Sequence, residues 1–483
     1  MSTSNSSLVL PSFTPRDYQS EAALFLVERP RAMLVADPGL GKTGTVLLVL
    51  DMLKLIGSSF FPALVFAPKR VADVVWSGEK DKWSSFQHLK VQQIMPDDLD
   101  NVHKGKFKPA KSGPLKVGWA DIYICNYELA ERLVMMFPGS RWPFKIVIAD
   151  ECSRLKGFRL SKGTVRSSAL ADIAQFTGRW INLTGTPAPN GLQDLWGQMY
   201  FIDFGQRLKR SYTAFSEAYL MEDRYTRKIS LQHGAAEAIY EAVKDVLVAY
   251  RAEDWLDITK PQELCVEFEL PPAVREQYRQ MEKEFFLQLP DAEIEAGTAM
   301  VKSTKLLQIA AGSVIDTETG TAHAVHDARL EALDDVLDQI EPEPLLVSYW
   351  WKSDVPRILE HLKKRKVPAR AYSGKQDEAD WNARKFRVLL LQEQSAFGLN
   401  LHGPCRDIMH YSYIWNGELW QQMVERVGPA RQAQAGKRAA VRVWWAQARG
   451  TVDRDVVDSN FGKITVEQAL KRARRRSRDD ANT

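Results

Sequence analysis

The stretch Ala36-Asp37-Pro38-Gly39-Leu40-Gly41-Lys42-Thr43 sets two glycines, a lysine and a threonine directly after the apolar run Met33-Leu34-Val35. Residues of these types at this spacing cradle phosphate. Gly39 and Gly41 let backbone N–H groups approach phosphate oxygens without a Cβ in the way, Lys42 reaches the β- and γ-phosphates, and the Thr43 hydroxyl binds Mg2+. The apolar run 45–50 that follows reads as a helix whose N-terminal dipole favours the same anion. Ala36 stands where the usual pattern has its first glycine. Further along, the apolar run Lys145-Ile146-Val147-Ile148-Ala149 ends in Asp150-Glu151. Two acids at the C-terminal end of a buried parallel strand sit where ligands bind in open α/β sheets. There Asp150 suits holding Mg2+, directly or through water, and Glu151 suits orienting and deprotonating an attacking water. Taken singly, the two stretches are also a plain glycine turn and a solvated acidic turn; taken together they favour a nucleotide site.

Elements able to position these residues alternate along the first part of the chain. Apolar strand patterns at 32–36, 63–67, 122–125, 146–149 and 180–183, separated by helical patterns, predict a parallel sheet covered by helices. After Asp203 the pattern turns to long charged amphipathic segments, notably 235–250 and 272–287, which read as a helical insert. Strand character returns at 345–349, 387–391, 408–411 and 441–445. The expected organisation is a first lobe over 1–204, a helical insert and linker over 205–324, a second α/β lobe over 325–470 and a basic tail over 471–483. At 483 residues, the chain is too long for a single ordinary core. Its 45% hydrophobic and 26% charged residues describe a soluble globular protein, expected inside the cell because neither a bilayer-spanning run nor a signal peptide is visible. Cys125, Cys152, Cys265 and Cys405 are too scattered for a metal cluster or a disulfide framework. The net charge of +4 requires any nucleic-acid site to come from local basic clusters. The tail, with Lys471, Arg472, Arg474, Arg475, Arg476 and Arg478, is either a solvated end or such a cluster.

In their order, these pieces resemble the SWI/SNF-like branch of superfamily 2 helicase-like ATPases, over nearly the whole chain. Tyr18-Gln19 is similar to the segment in which a glutamine reads adenine. Val65-Phe66-Ala67-Pro68 with Trp76, Glu79 and Trp83 resembles the branch's first nucleic-acid motif, and Asn126-Tyr127-Glu128 the next. The run 150–157 resembles its Mg2+ motif, including the trailing Lys156 but with Ser153 where many relatives have His. Most diagnostic is 183–203, with Thr184-Gly185-Thr186-Pro187, Asn190, Asp194-Leu195-Trp196 and an aromatic-rich helix. In the second lobe, Tyr372-Ser373-Gly374 and 395–401 resemble further motifs, the latter touching both nucleic acid and nucleotide. Trp415-Asn416 with Gln422 and Arg426 resembles the final motif, whose arginines reach the γ-phosphate. Its usual second arginine falls here on Pro429, and the nearest candidate is Arg431, in an expected proline-bent loop 428–432. The variant 425–429 is similar to forms in bacteriophage members of the branch.

What the resemblance implies is two RecA-like parallel-sheet lobes in tandem with a helical insert, ATP and Mg2+ as ligands, and ATP hydrolysis coupled to movement along DNA, duplex DNA first. It assigns catalysis to Glu151, Asp150, Lys42, Arg426 and Arg431, and nucleotide contacts to Gln19, Gly39, Gly41, Lys42, Thr43, Gly398 and Gln422. Thr43 and Asp150 take the metal. Lys69, Arg70, Asn126, Thr184, Thr186 and Asn400 take the polymer. A strand-separating DNA or RNA helicase and an ATP-switched nucleic-acid-binding regulator are the alternatives. A recombination or nuclease partner protein is compatible with either, and a viral member would work in the host cytoplasm.

Overall fold

The computed structural model describes residues 10–460 except 104–105, 114, 161–162, 186, 189–190, 223–228, 288–295, 317 and 396–398. Thr186, Gly398 and the basic tail therefore lie outside the described residues. The chain divides into two compact units, Met1–Trp255 and Leu256–Thr483.

The first unit is built on seven parallel strands. Their spatial order is Leu247–Tyr250, Arg31–Ala36, Arg179–Thr184, Ile146–Asp150, Ala63–Ala67, Ile122–Asn126 and Val91–Gln93. Ala63–Ala67 and Ile146–Asp150 are buried at every position, the continuous apolar pattern of strands covered on both faces. The register pairs Val35 with Thr184, Asp150 with Leu183 and Phe66 with Ala149, which brings the C-terminal ends of four strands to one edge. That edge is where the acids and the glycine turn emerge.

The second unit repeats the plan with six parallel strands: Gln262–Phe268, Arg442–Ala448, Asp407–His410, Leu345–Tyr349, Val388–Gln392 and Ala369–Ala371. Large buried rings, among them Trp381, Trp445 and Tyr411, fill its core. A buried Arg329–Asp453 ion pair ties the helix Ala328–Gln339 to the start of the helix Asp453–Asn460.

The stretch expected as a helical insert is apportioned between the two units. Residues 235–250 form not one helix but the helix Ala235–Val243 followed by the strand Leu247–Tyr250, which pairs in parallel with Arg31–Ala36. Gln262–Phe268 likewise joins the second sheet beside Arg442–Ala448. Both are outermost strands, and their mixed burial, with exposed charges at Glu263 and Glu267, blurs the apolar signal on which strand prediction depends. The helices Pro272–Leu287 and Ala296–Ala311 follow in the second unit. Among the described residues, three antiparallel strand pairs that the sequence pattern does not reveal join Asn101–His103 to Lys106–Lys108, Leu220–Glu222 to Ile229–Leu231 and Ser313–Ile315 to Ala322–Ala324.

Candidate active site

Beyond Ala36 the first strand runs into a turn in which Gly39 (φ 91°) and Gly41 (φ 75°) adopt left-handed backbone that glycine takes without steric cost. Gly41 then caps the helix Lys42–Ile56, so that its free N–H groups face the turn. A Cβ on Gly41 would lie 2.6 Å from Gln19 Nε2. Lys42 Nζ donates to the Ala36 carbonyl at 2.7 Å, spanning the loop. Thr43 is half-buried in the first turn of the helix. Gln19, expected to read adenine, is buried with its amide committed to the protein. Its Oε1 accepts from the Arg16 N–H at 3.0 Å, and its Nε2 donates to the Leu40 carbonyl at 3.3 Å. In this structure it braces the phosphate loop. Asp37 anchors the other side: its carboxylate accepts from the Ala252 N–H at 2.8 Å, and its own N–H donates to the Tyr250 carbonyl at 3.2 Å.

Asp150 ends its strand buried, with Oδ2 accepting from Trp76 Nε1 at 2.9 Å and its carbonyl accepting from the Tyr127 hydroxyl at 3.0 Å. Burial above all, and then the adjoining Glu151 charge, push its carboxyl up to about 6, against the pull of the Trp76 hydrogen bond and of Lys42. Glu151 follows in left-handed backbone (φ 54°), which for a non-glycine residue costs on the order of 1–3 kcal/mol. Such strain ends the pleat at the point where the second acid is needed. Among the described residues no group of three or more His, Cys, Asp or Glu could hold a metal ion. Mg2+ does not require one, since it is commonly held by one or two protein groups together with phosphate oxygens and water. Two neighbouring acids whose joint ionisation is unfavourable, close enough to Lys42 to feel its charge, fit a cation and a polyphosphate.

The residues expected at the polymer divide. Lys69 is exposed and Arg70 half-buried, directly after Pro68 at the end of Ala63–Ala67 and before a π-helical turn, Val71–Val75. Asn126 ends the next strand, where its side chain accepts from the Leu129 N–H at 3.2 Å and caps the turn that follows. Thr184 corrects the expectation. It is wholly buried at the end of the central strand Arg179–Thr184, beside the phosphate loop's own strand, and presents no surface to a polymer. Trp76, grouped by resemblance with the nucleic-acid motif, is also buried and bonded to Asp150.

In the second unit the Asn416 side chain caps the helix Gly417–Val427 through the Leu419 N–H at 3.2 Å. Gln422 lies one turn before Arg426, whose Nε donates to the Gln422 carbonyl at 3.0 Å. The expected loop 428–432 is instead the start of a second helix, Pro429–Gln434, because a proline at the first helical position has its ring preset for the turn and no N–H to satisfy. That helix sets Arg431 near Arg426: burial first, then the Arg426 charge, lower the Arg431 guanidinium to about 10. Arg431 also donates to the Asn400 side chain, which links a residue expected at the polymer to one expected at the γ-phosphate. Asn400 is held further by the Glu378 carboxylate on its N–H and by Asn382 on its carbonyl, both at 3.0 Å.

The SNF2-related domain matches residues 18–317, more than half of the chain. The chain belongs to the SNF2-related family. As a member it is a helicase-like ATP hydrolase. It is 38% identical to protein p41 of Acyrthosiphon pisum secondary endosymbiont phage 1, over 97% of this chain and all of that protein. It is 26% identical to the human DNA annealing helicase and endonuclease ZRANB3 over 42% of this chain, and 26% identical to the ISWI chromatin-remodeling complex ATPase ISW2 of Saccharomyces cerevisiae over 40%. Those matches span 17% and 16% of the two larger proteins. Among solved structures, the SWI2/SNF2 ATPase core of Sulfolobus solfataricus in complex with dsDNA aligns over 96% of both chains, at 19% identity and a TM-score of 0.44. Among the described residues of this SNF2-related chain, no helix is long and apolar enough to cross a membrane.

Sequence reasoning missed the tertiary contacts of three residues, of which Trp76 had been placed only with the nucleic-acid motif. Asp37 ties the phosphate loop to 250–252, and its only signal was an acid inside the glycine turn. Trp76 donates to Asp150 from the first residue of the helix Trp76–Asp81. Glu393, buried beside the 395–401 motif, accepts from the Ser348 hydroxyl and pairs with His410, both at 3.2 Å. Each works through neighbours distant in sequence.

Proposed function

We propose that this SNF2-related ATPase couples ATP hydrolysis to movement along duplex DNA, without obligatory separation of the strands. The observation that carries the reading is the shared sheet edge in the first unit. The phosphate loop, Asp150-Glu151 and the basic pair Lys69-Arg70 all leave the C-terminal ends of strands in one parallel sheet.

In this reading the loop N–H groups and Lys42 bind the phosphates of ATP, and Thr43 and Asp150 hold Mg2+. The ion, when bound, neutralises charge on the β- and γ-phosphate oxygens. Glu151 orients the attacking water and takes its proton. Arg426 and Arg431 stabilise the charge that spreads over the γ-phosphoryl oxygens during transfer. Gln19 and Asp37 hold the loop in shape from either side. Lys69, Arg70, Asn126 and Asn400 meet the polymer backbone, so binding is sequence-tolerant and salt-sensitive. The family membership and the DNA-acting relatives support DNA over RNA as the track.

The test is the ATPase rate with no polymer, duplex DNA, single-stranded DNA and RNA in parallel at fixed salt, together with displacement of a third strand from a triplex. Stimulation by duplex and loss of the third strand are expected. Stimulation only by single strands or RNA, with unwinding of a tailed duplex, would replace this reading with that of a strand-separating helicase.

A further inference from the structure

We infer that Trp76 is a positioning residue that links the polymer-contacting segment to the metal-holding acid. The inference rests on the proposed roles of Asp150, Lys69 and Arg70.

The indole of Trp76 is 1% exposed, and its Nε1–H donates to Asp150 Oδ2 at 2.9 Å. A buried indole N–H needs an acceptor, and a buried carboxylate oxygen needs a donor. Each satisfies the other here, so neither can shift alone without leaving a buried polar atom unpaired. With Oδ2 committed, the carboxylate has a set orientation and its other oxygen remains for a cation. A hydrogen bond of this kind tunes a metal ligand from outside the coordination sphere.

What makes Trp76 more than a brace is its place in the chain. It opens the helix Trp76–Asp81, directly continuous with the π-helical turn Val71–Val75, which itself follows Lys69 and Arg70. A π turn holds an extra residue in the ladder and is a recurrent feature of functional segments. From Arg70 through Lys82 the backbone stays helical, so a displacement at the basic pair is transmitted along one short rod to the indole. The strand before it, Ala63–Ala67, lies beside Ile146–Asp150 with Phe66 paired to Ala149. The rod is therefore anchored next to the acid it touches. A phosphate drawn to Lys69 and Arg70 selects one setting of this turn, and through Trp76 one setting of Asp150. Polymer binding and Mg2+ binding are then coupled, and coupling between two ligands is reciprocal.

The experiment measures Mg2+-dependent binding of a non-hydrolysable ATP analogue by calorimetry, with and without a short duplex, so that turnover is not the readout. In the wild-type protein the duplex is expected to lower the Mg2+ concentration for half-saturation, and the double substitution Lys69→Ala/Arg70→Ala to remove that shift. Trp76→Phe, which keeps a ring and loses the N–H, is expected to raise the Mg2+ requirement about 10-fold or more and to make it insensitive to duplex. Trp76→His sets Nε2 at the former indole nitrogen, and is expected to recover part of the loss. Mere packing predicts the opposite order, with Phe closer to wild type than His. A wild-type protein whose Mg2+ requirement ignores bound duplex overturns the inference, whatever the variants do. So does a folded Trp76→Phe protein with wild-type Mg2+ and duplex responses. Failure of the wild-type protein to bind the analogue with Mg2+, or to bind duplex, would instead strike the proposed function.

Discussion

The two units carry the same parallel-sheet plan but opposite charge problems. In the first, Asp150 and Glu151 are neighbouring acids, and burial together with Glu151 pushes Asp150 up to about 6. In the second, Arg426 and Arg431 are neighbouring cations, and burial together with Arg426 pulls Arg431 down to about 10. Each unit alone holds a like-charge pair whose full ionisation is penalised. A ligand of the other sign would relieve each penalty, a cation for the acids and an anion for the arginines.

The comparison breaks first at Glu151. Glu151→Gln is expected to keep nucleotide binding and to lower turnover by about 10²–10⁴-fold, the usual contribution of a positioned base. Near-normal turnover in that variant would remove the acids from the chemistry and leave them a role in cation binding alone.

Next come the arginines. Arg426→Ala and Arg431→Ala are each expected to reduce the DNA-stimulated rate by about 10²–10³-fold with little change in ATP or DNA affinity, as for groups that act on the transition state. Substitution by Lys should rescue poorly, because a point charge lacks the guanidinium fork. If Arg431→Ala retains the wild-type rate, the pair reduces to Arg426 alone and the symmetry with the acids fails.

The pH dependence sharpens the contrast. The Asp150 carboxyl holds its proton more tightly in the folded protein, to about 6, than in the unfolded chain, at 3.8. Relative stability is therefore fully present below the unfolded value and is lost as pH rises from about 4 through about 6. Asp150→Asn should raise the melting temperature of the ligand-free protein at pH 7, by the equivalent of at most about 3 kcal/mol, and leave it unchanged at pH 4. In parallel, Mg2+-dependent nucleotide binding by the wild type should weaken as pH falls through about 6. A melting temperature that Asp150→Asn lowers at pH 7 would mean that the penalty is not there to relieve.

The smallest effect is expected from the tail. Deleting 471–483 should lower the logarithmic salt slope of duplex binding by roughly 0.9 for each phosphate that the shortened chain no longer neutralises, while leaving the maximal ATPase rate in place. An unchanged slope would make the tail a solvated end and confine the polymer site to the two sheets.

Local, contiguous chemistry was legible in the chain. The glycine turn and the acids after an apolar run are short segments in which residue type, spacing and backbone preference agree. Fully buried strands such as Ala63–Ala67 were legible for the same reason, as uninterrupted apolar runs. Leu247–Tyr250 and Gln262–Phe268 were not, since outermost strands mix exposed and buried residues and owe their conformation to a neighbouring strand. The helix Pro429–Gln434 was misjudged because proline marks a helix start as readily as a bend.

By itself, then, the sequence determined a glycine turn after one apolar strand and a pair of acids at the end of another, because each of these features is a run of adjacent residues. Only the tertiary structure decided which partners hold them there. Trp76 reaches Asp150 from the start of a helix, Asp37 is anchored to Ala252, Gln19 turns its amide to the phosphate loop, and Thr184 is withdrawn into the core. Parallel strands bring residues distant in sequence to one edge, and the hydrogen bonds made across that edge depend on distances that no spacing along the chain encodes.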